Sequence, residues 1–236
     1  MTERIVRRVF LAMTGGAMAA PSISWSARAT PSLLDHVLLG CNDLERGIAF
    51  VEERTGVRAA FGGVHPGRGT QNALLSLGER RYLEIVAPDP KQASVGQFSV
   101  ITKLKEPKLI GWAAHTGDLD AFARKLREAG VPFVGPTVGS RTRPDGKTLN
   151  WKALTLKDDS SGLLPFFIEW SADSVHPSVD APKDCSLHRF DAATPDPEAL
   201  KKQVALLGLD LLVVKGDKPQ LRGTITGPKG LLEITS

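Results

Sequence analysis

The chain has 236 residues, 42% of them hydrophobic and 24% charged, with 30 Lys or Arg against 26 Asp or Glu and a formal charge of +4. That length and apolar content suit one large or two small domains with a real core. Arg4, Arg7, Arg8, Arg28 and Glu3 fall in the first 29 positions, so the remainder carries 26 basic and 25 acidic residues, net +1. With no Lys/Arg run left and only 6% aromatic residues to stack bases, the composition excludes nucleic acid as an expected partner.

Taken in chain order, the first segment reads as an address label. Arg7-Arg8-Val9-Phe10-Leu11 is a twin-arginine pair followed by Phe and Leu, Ala12 to Ala20 is small and weakly apolar, and Ala27-Arg28-Ala29 is an A-x-A-like cleavage site. Residues 1–29 are therefore expected to be a twin-arginine signal peptide, removed on export to the periplasm. The stretch is too short and too rich in Gly and Ala to serve as a stable membrane anchor. Twin-arginine export carries folded proteins, which points weakly to a cofactor loaded inside the cell.

Three copies of one phrase follow: a short apolar strand, an Asp-led helix start, a helix closing near Gly, then strands ending in apolar-apolar-Glu-apolar. The first copy, residues 30–90, opens on Leu33 to Gly40, caps a helix at Asn42-Asp43 and stops it at Gly56. A Gly-rich loop leads to strands around Thr70 to Leu77 and Arg81 to Val86. After a polar connector, 91–108, the second copy spans 109–172. Here Gly111 to Thr116 reads as strand, Asp118 as cap, Leu119 to Ala129 as helix and Gly130 as its stop. Pro144-Asp145-Gly146 forms a hairpin turn, and Leu163 to Trp170 is the last strand. A Pro/Ser/Asp-rich linker, 173–184, precedes a compact third copy, 185–236, whose helix starts at Pro195-Asp196-Pro197-Glu198. The fold class is α+β, built from repeated βαβββ modules. Because one small sheet cannot bury its own face, copies are expected to pair around a shared cavity. The third copy has no partner in the chain and is expected either to cover the barrel or to pair with another subunit in a homodimer. Cys41 and Cys185, near the first strands of copies one and three, are placed either to pair in an oxidising compartment or to remain buried thiols.

The residues Leu34-Asp35-His36-Val37 with Asp43, His65-Pro66-Gly67-Arg68-Gly69-Thr70-Gln71-Asn72 leading to Tyr82-Leu83-Glu84, Gly111-Trp112-Ala113, and Leu164-Pro165-Phe166-Phe167-Ile168-Glu169-Trp170 followed by His176-Pro177-Ser178 carry a family resemblance. In them the chain resembles the glyoxalase-like branch of the vicinal oxygen chelate superfamily. The resemblance implies paired βαβββ modules curled into an open mixed sheet, often around a divalent ion held by the first and last strands of each module. It places His36 and Glu84 in those roles in copy one and Glu169 in copy two.

Seven residues before the helix-start Asp stands His36 in copy one but Gly111 in copy two, so the fourth ligand is missing from its place. His115, four residues on and on the same face by parity, could substitute only if the metal sat deeper or the strand were bulged, and it is expected to contact the substrate. His65, Arg68, Thr70 and Asn72, in and just after the glycine-permissive loop, are expected to line the cavity mouth and bind a small oxygen-rich molecule. His65 and Glu169 are the candidates to move a proton. Arg81, Arg141 and Arg143 are available as ion-pair partners for the glutamates, and His176 and His188 are read as structural.

Two functions remain open on this reading. One is a divalent-metal-dependent enzyme of lyase, isomerase or dioxygenase type, with His36, Glu84 and Glu169 as ligands. The other is a metal-free protein that binds or sequesters a small molecule in the same cavity.

Overall fold

The computed structural model describes residues 30–92, 96–157, 159 and 161–236. The signal-peptide expectation, 1–29, lies outside them. The first module runs β1 (Leu34–Gly40), α1 (Leu44–Thr55), β2 (Ala60–His65), β3 (Thr70–Ser76) and β4 (Tyr82–Pro88). The second runs β5 (Lys108–His115), α2 (Leu119–Glu128), β6 (Phe133–Thr142), β7 (Thr148–Leu156) and β8 (Phe166–Trp170). Asp side chains open both helices, Asp43 accepting from the amide of Arg46 at 2.9 Å and Asp118 from that of Ala121 at 2.7 Å. The connector holds a 3-10 turn, Gly96–Lys103, and the linker a single helical turn, α3 (Pro177–Asp180).

The two modules share one curled, mixed, eight-stranded sheet ordered β2-β3-β4-β1-β5-β8-β7-β6, joined by antiparallel pairing of β1 with β5. Each module repeats one internal rule, its first strand lying parallel to its last. The edge strands β2 and β6 come close: a β-carbon at Gly63 (φ 137°) would stand 2.6 Å from the carbonyl oxygen of Thr142. This curl encloses a cavity of about 800 Å³ on one face of the sheet. The helices pack on the other face over a core that includes Leu39, Leu83, Ile85, Trp112 and Phe167.

The third copy keeps the element order, β9 (Ser186–Thr194), α4 (Pro197–Leu206), β10 (Leu212–Lys215), β11 (Gln220–Gly227) and β12 (Gly230–Thr235), but not the pairing. Its sheet is ordered β10-β9-β11-β12, with the first strand parallel to the second and antiparallel to the third. It is therefore not a third barrel quarter. It packs on the helix side of the large sheet, where Phe190 meets Trp112 with ring centroids 5.5 Å apart and the amide of Lys229 donates to the carbonyl of Thr55 at 3.0 Å. Cys41 and Cys185 are both buried free thiols in this core, and burial pushes the Cys41 thiol up to about 12. Among the described residues no helix is long and apolar enough to cross a membrane.

Candidate functional site

Alternation along β4 puts Tyr82, Glu84 and Val86 on the cavity wall, and the parallel register sets Leu38 of β1 opposite Glu84. His36 reaches Glu84 with its Nε2 3.6 Å from Oε2, while His65 from β2 brings its Nε2 to 3.4 Å from Oε1. The Asn72 side-chain amide, from β3, donates to Oε1 at 2.6 Å. Thr70 sits behind this layer, its Oγ1 2.9 Å from His65 Nδ1. Burial would raise the Glu84 carboxyl, but His65, the charge of His36 and the Asn72 amide outweigh it and hold the group at about 2. One ionised carboxylate thus stands between two imidazoles.

Behind His36 lies a second, fully buried carboxylate. Asp35 is 2.7 Å from His36 Nδ1, accepts from Trp170 Nε1 at 3.1 Å, and lies 3.2 Å from Nε2 of His176. Burial opposes its ionisation, yet these partners hold its carboxyl well below the usual range. An Asp35 carboxylate accepting from Nδ1–H fixes the orientation of the His36 ring, with Nε2 directed toward Glu84. The His36 ring is further held by stacking on Tyr82, with centroids 4.5 Å apart. No local sequence signal marks Asp35, because its partners Trp170 and His176 lie 135 and 141 residues away.

The second module contributes a different wall. Leu38 faces Glu84 in module one, and by the same parallel register Ala113 faces Phe166 in module two, so Phe166 occupies the place of Glu84. Glu169 is three residues further along, an odd step that turns a strand side chain to the other face. There its Oε2 accepts from the amide of Leu119 at 2.6 Å, supporting the start of α2. The expected roles of Glu169 as ligand and proton carrier in the cavity are corrected accordingly. Gly111 is on the cavity wall as the counting expects, whereas His115 is not; its Nδ1 is buried without a hydrogen-bond partner, and burial lowers its pKa. Arg68 is exposed at the mouth. Trp151, Phe166, Ile168 and Trp170 complete an apolar, aromatic wall, and Arg141 from β6 is the buried cation among them.

A divalent ion needs three or more donors converging on one point at about 2.0–2.2 Å. Of His36, Glu84 and Glu169 only the first two face the same space. The second module's matching positions, Gly111 and Phe166, carry no side-chain donor atom. His65 approaches the opposite oxygen of Glu84 from His36, so the carboxylate separates the imidazoles. Among the described residues no group of three or more His, Cys, Asp or Glu side chains is placed to hold a metal ion. The donor set therefore does not fit a resident divalent ion.

The paired modules and their one-sided polar wall define a vicinal oxygen chelate fold. The chain belongs to the glyoxalase-like domain family, whose model matches residues 34–208, and members of the wider superfamily are often metal-dependent enzymes. A hypothetical protein from Staphylococcus aureus superposes with a TM-score of 0.62 at 19% identity, over 85% of this chain and 84% of that one. Methylmalonyl-CoA epimerase from Mycobacterium tuberculosis is similar at 26% identity and a TM-score of 0.43, over 63% of this chain and 94% of that one. The first likeness is one of fold. Comparison with curated proteins returns no match.

Proposed function

We propose that this protein binds a small, oxygen-rich organic molecule in the cavity and moves a proton on it through His65, in the manner of an isomerase or lyase and without a resident divalent ion. The observation that carries this reading is the ionised Glu84 carboxylate lying between the imidazoles of His36 and His65 on a cavity wall. A carboxylate held near 2 is itself a weak base at neutral pH, so the proton-accepting role falls to the neighbouring imidazole of His65. His65 accepts the proton from a carbon next to a carbonyl, the C–H electron pair moves into the carbonyl to leave an enolate, and return of the proton completes the exchange. Asp35 and His36 keep the carboxylate in place. The two histidines face the same cavity as Trp151 and Trp170, so an aromatic or branched substrate body has a surface to lie on.

Deuterium incorporation at the carbon beside the carbonyl of phenylpyruvate in D2O, followed by proton NMR, tests this. The native chain should exceed the buffer rate, and His65→Asn should lower that excess by about 10²–10⁴-fold. Exchange no faster than buffer, or unchanged in His65→Asn, contradicts it. We further propose that the protein acts in the periplasm after twin-arginine export. Replacing Arg7 and Arg8 with Lys should retain the full-length precursor inside the cell, and undiminished export of that variant would overturn the assignment.

A further inference from the structure

We infer that Arg141 is an anion-holding group of the cavity and that the ligand is a small organic carboxylate with an aromatic or branched apolar body. This rests on the reading of the cavity as a small-molecule site.

Arg141 is only 4% exposed, lines the cavity, and leaves its Nη1 without a hydrogen-bond partner. No described carboxylate forms an ion pair with it; Glu84 acts on it only through space. A guanidinium cannot escape burial by losing its proton, so an unpaired one at this depth is costly unless something anionic meets it. Its seat is made by the local sequence of β2. A β-carbon at Gly62 would stand 2.9 Å from Nη1 and one at Gly63 3.2 Å from it, so side chains there would displace the guanidinium. Asn72 Oδ1, the other face of the amide that holds Glu84, is also buried without a partner, and it would lie 2.5 Å from the same Gly62 carbon. Arg141 therefore reaches from the edge of module two across to the polar wall of module one, where a fork of N–H donors suits a carboxylate. Beyond it the wall turns apolar at Trp151, Phe166 and Trp170, which sets the chemistry of the rest of the ligand.

The test uses the full 236-residue chain, with 3-phenylpropionate and its neutral amide, 3-phenylpropionamide, as probes of equal shape. Binding is read by tryptophan fluorescence and calorimetry. The acid should bind about tenfold or more tightly than the amide, the size expected of a hydrogen bond to a charged group. In Arg141→Gln that preference should fall to about twofold or less while the amide keeps its affinity, and Arg141→Lys should retain part of it. Equal binding of acid and amide by the native chain overturns the inference even if Arg141→Gln does not fold, and leaves the cavity reading intact. A preference unchanged in Arg141→Gln also overturns it. Failure of both probes to bind overturns both readings.

Discussion

The two modules of the large sheet share one plan and differ in what they present to the space between them. Module one places Asp35, His36, His65, Asn72 and Glu84 in a connected polar layer, whereas the matching positions of module two hold Gly111 and Phe166. A duplicated fold thus need not duplicate its chemistry. One half supplies the ionisable polar layer, and the other supplies an aromatic wall and, among the described residues, one buried cation, Arg141.

The largest expected effect falls on the buried end of the polar layer. Asp35→Ala leaves Trp170 Nε1, His36 Nδ1 and His176 Nε2 without their shared acceptor and should cost about 3–5 kcal/mol in urea unfolding. A cost below about 1 kcal/mol would show that this network does not hold the module together.

Acidification comes next. The folded-state pKa of Glu84 lies below its unfolded value of about 4.3, so its contribution to stability is present above that pH. It is lost as pH falls toward about 2, and Asp35 acts in the same direction. Thermal unfolding followed from pH 5 to pH 2 should show Tm falling steeply, with a shallower fall in Glu84→Gln. Parallel curves for the two proteins would contradict the assignment.

The smallest effect belongs to module two. Glu169→Gln weakens one contact at the start of α2 and should cost about 1 kcal/mol or less, with phenylpyruvate exchange unchanged. Loss of exchange in that variant would return Glu169 to the site.

What was legible in the sequence follows the range of the forces involved. Asp caps at 43, 118 and 196, the stop at Gly56 and the hairpin at Pro144-Asp145-Gly146 are local, and the structure keeps them. The repeated βαβββ plan and the candidacy of His36, His65, Asn72 and Glu84 for the cavity were legible too, because strand alternation and the family pattern speak to them. Glu169 misled because its apolar-apolar-Glu-apolar phrase copies that of Glu84. Only the pairing of β5 with β8 reveals that the copy is offset by an odd number of residues. The same limit hid the sheet order of the third copy and the union of Asp35 with His176, both of which depend on contacts distant in sequence. Arg141 was visible as one of three arginines available to the glutamates, but nothing local marked it as the buried, unpaired one.

We propose that the polar wall of module one works without a metal, because the matching positions of module two, Gly111 and Phe166, carry no side-chain donor. Elemental analysis of the protein purified from its native host, repeated on His36→Ala and Glu84→Ala, tests this. The expected result is far less than one equivalent of any divalent ion in all three proteins and no rise in Tm when zinc, manganese, iron or nickel is added to the native chain. Close to one equivalent in the native protein, lost in both variants, would contradict it.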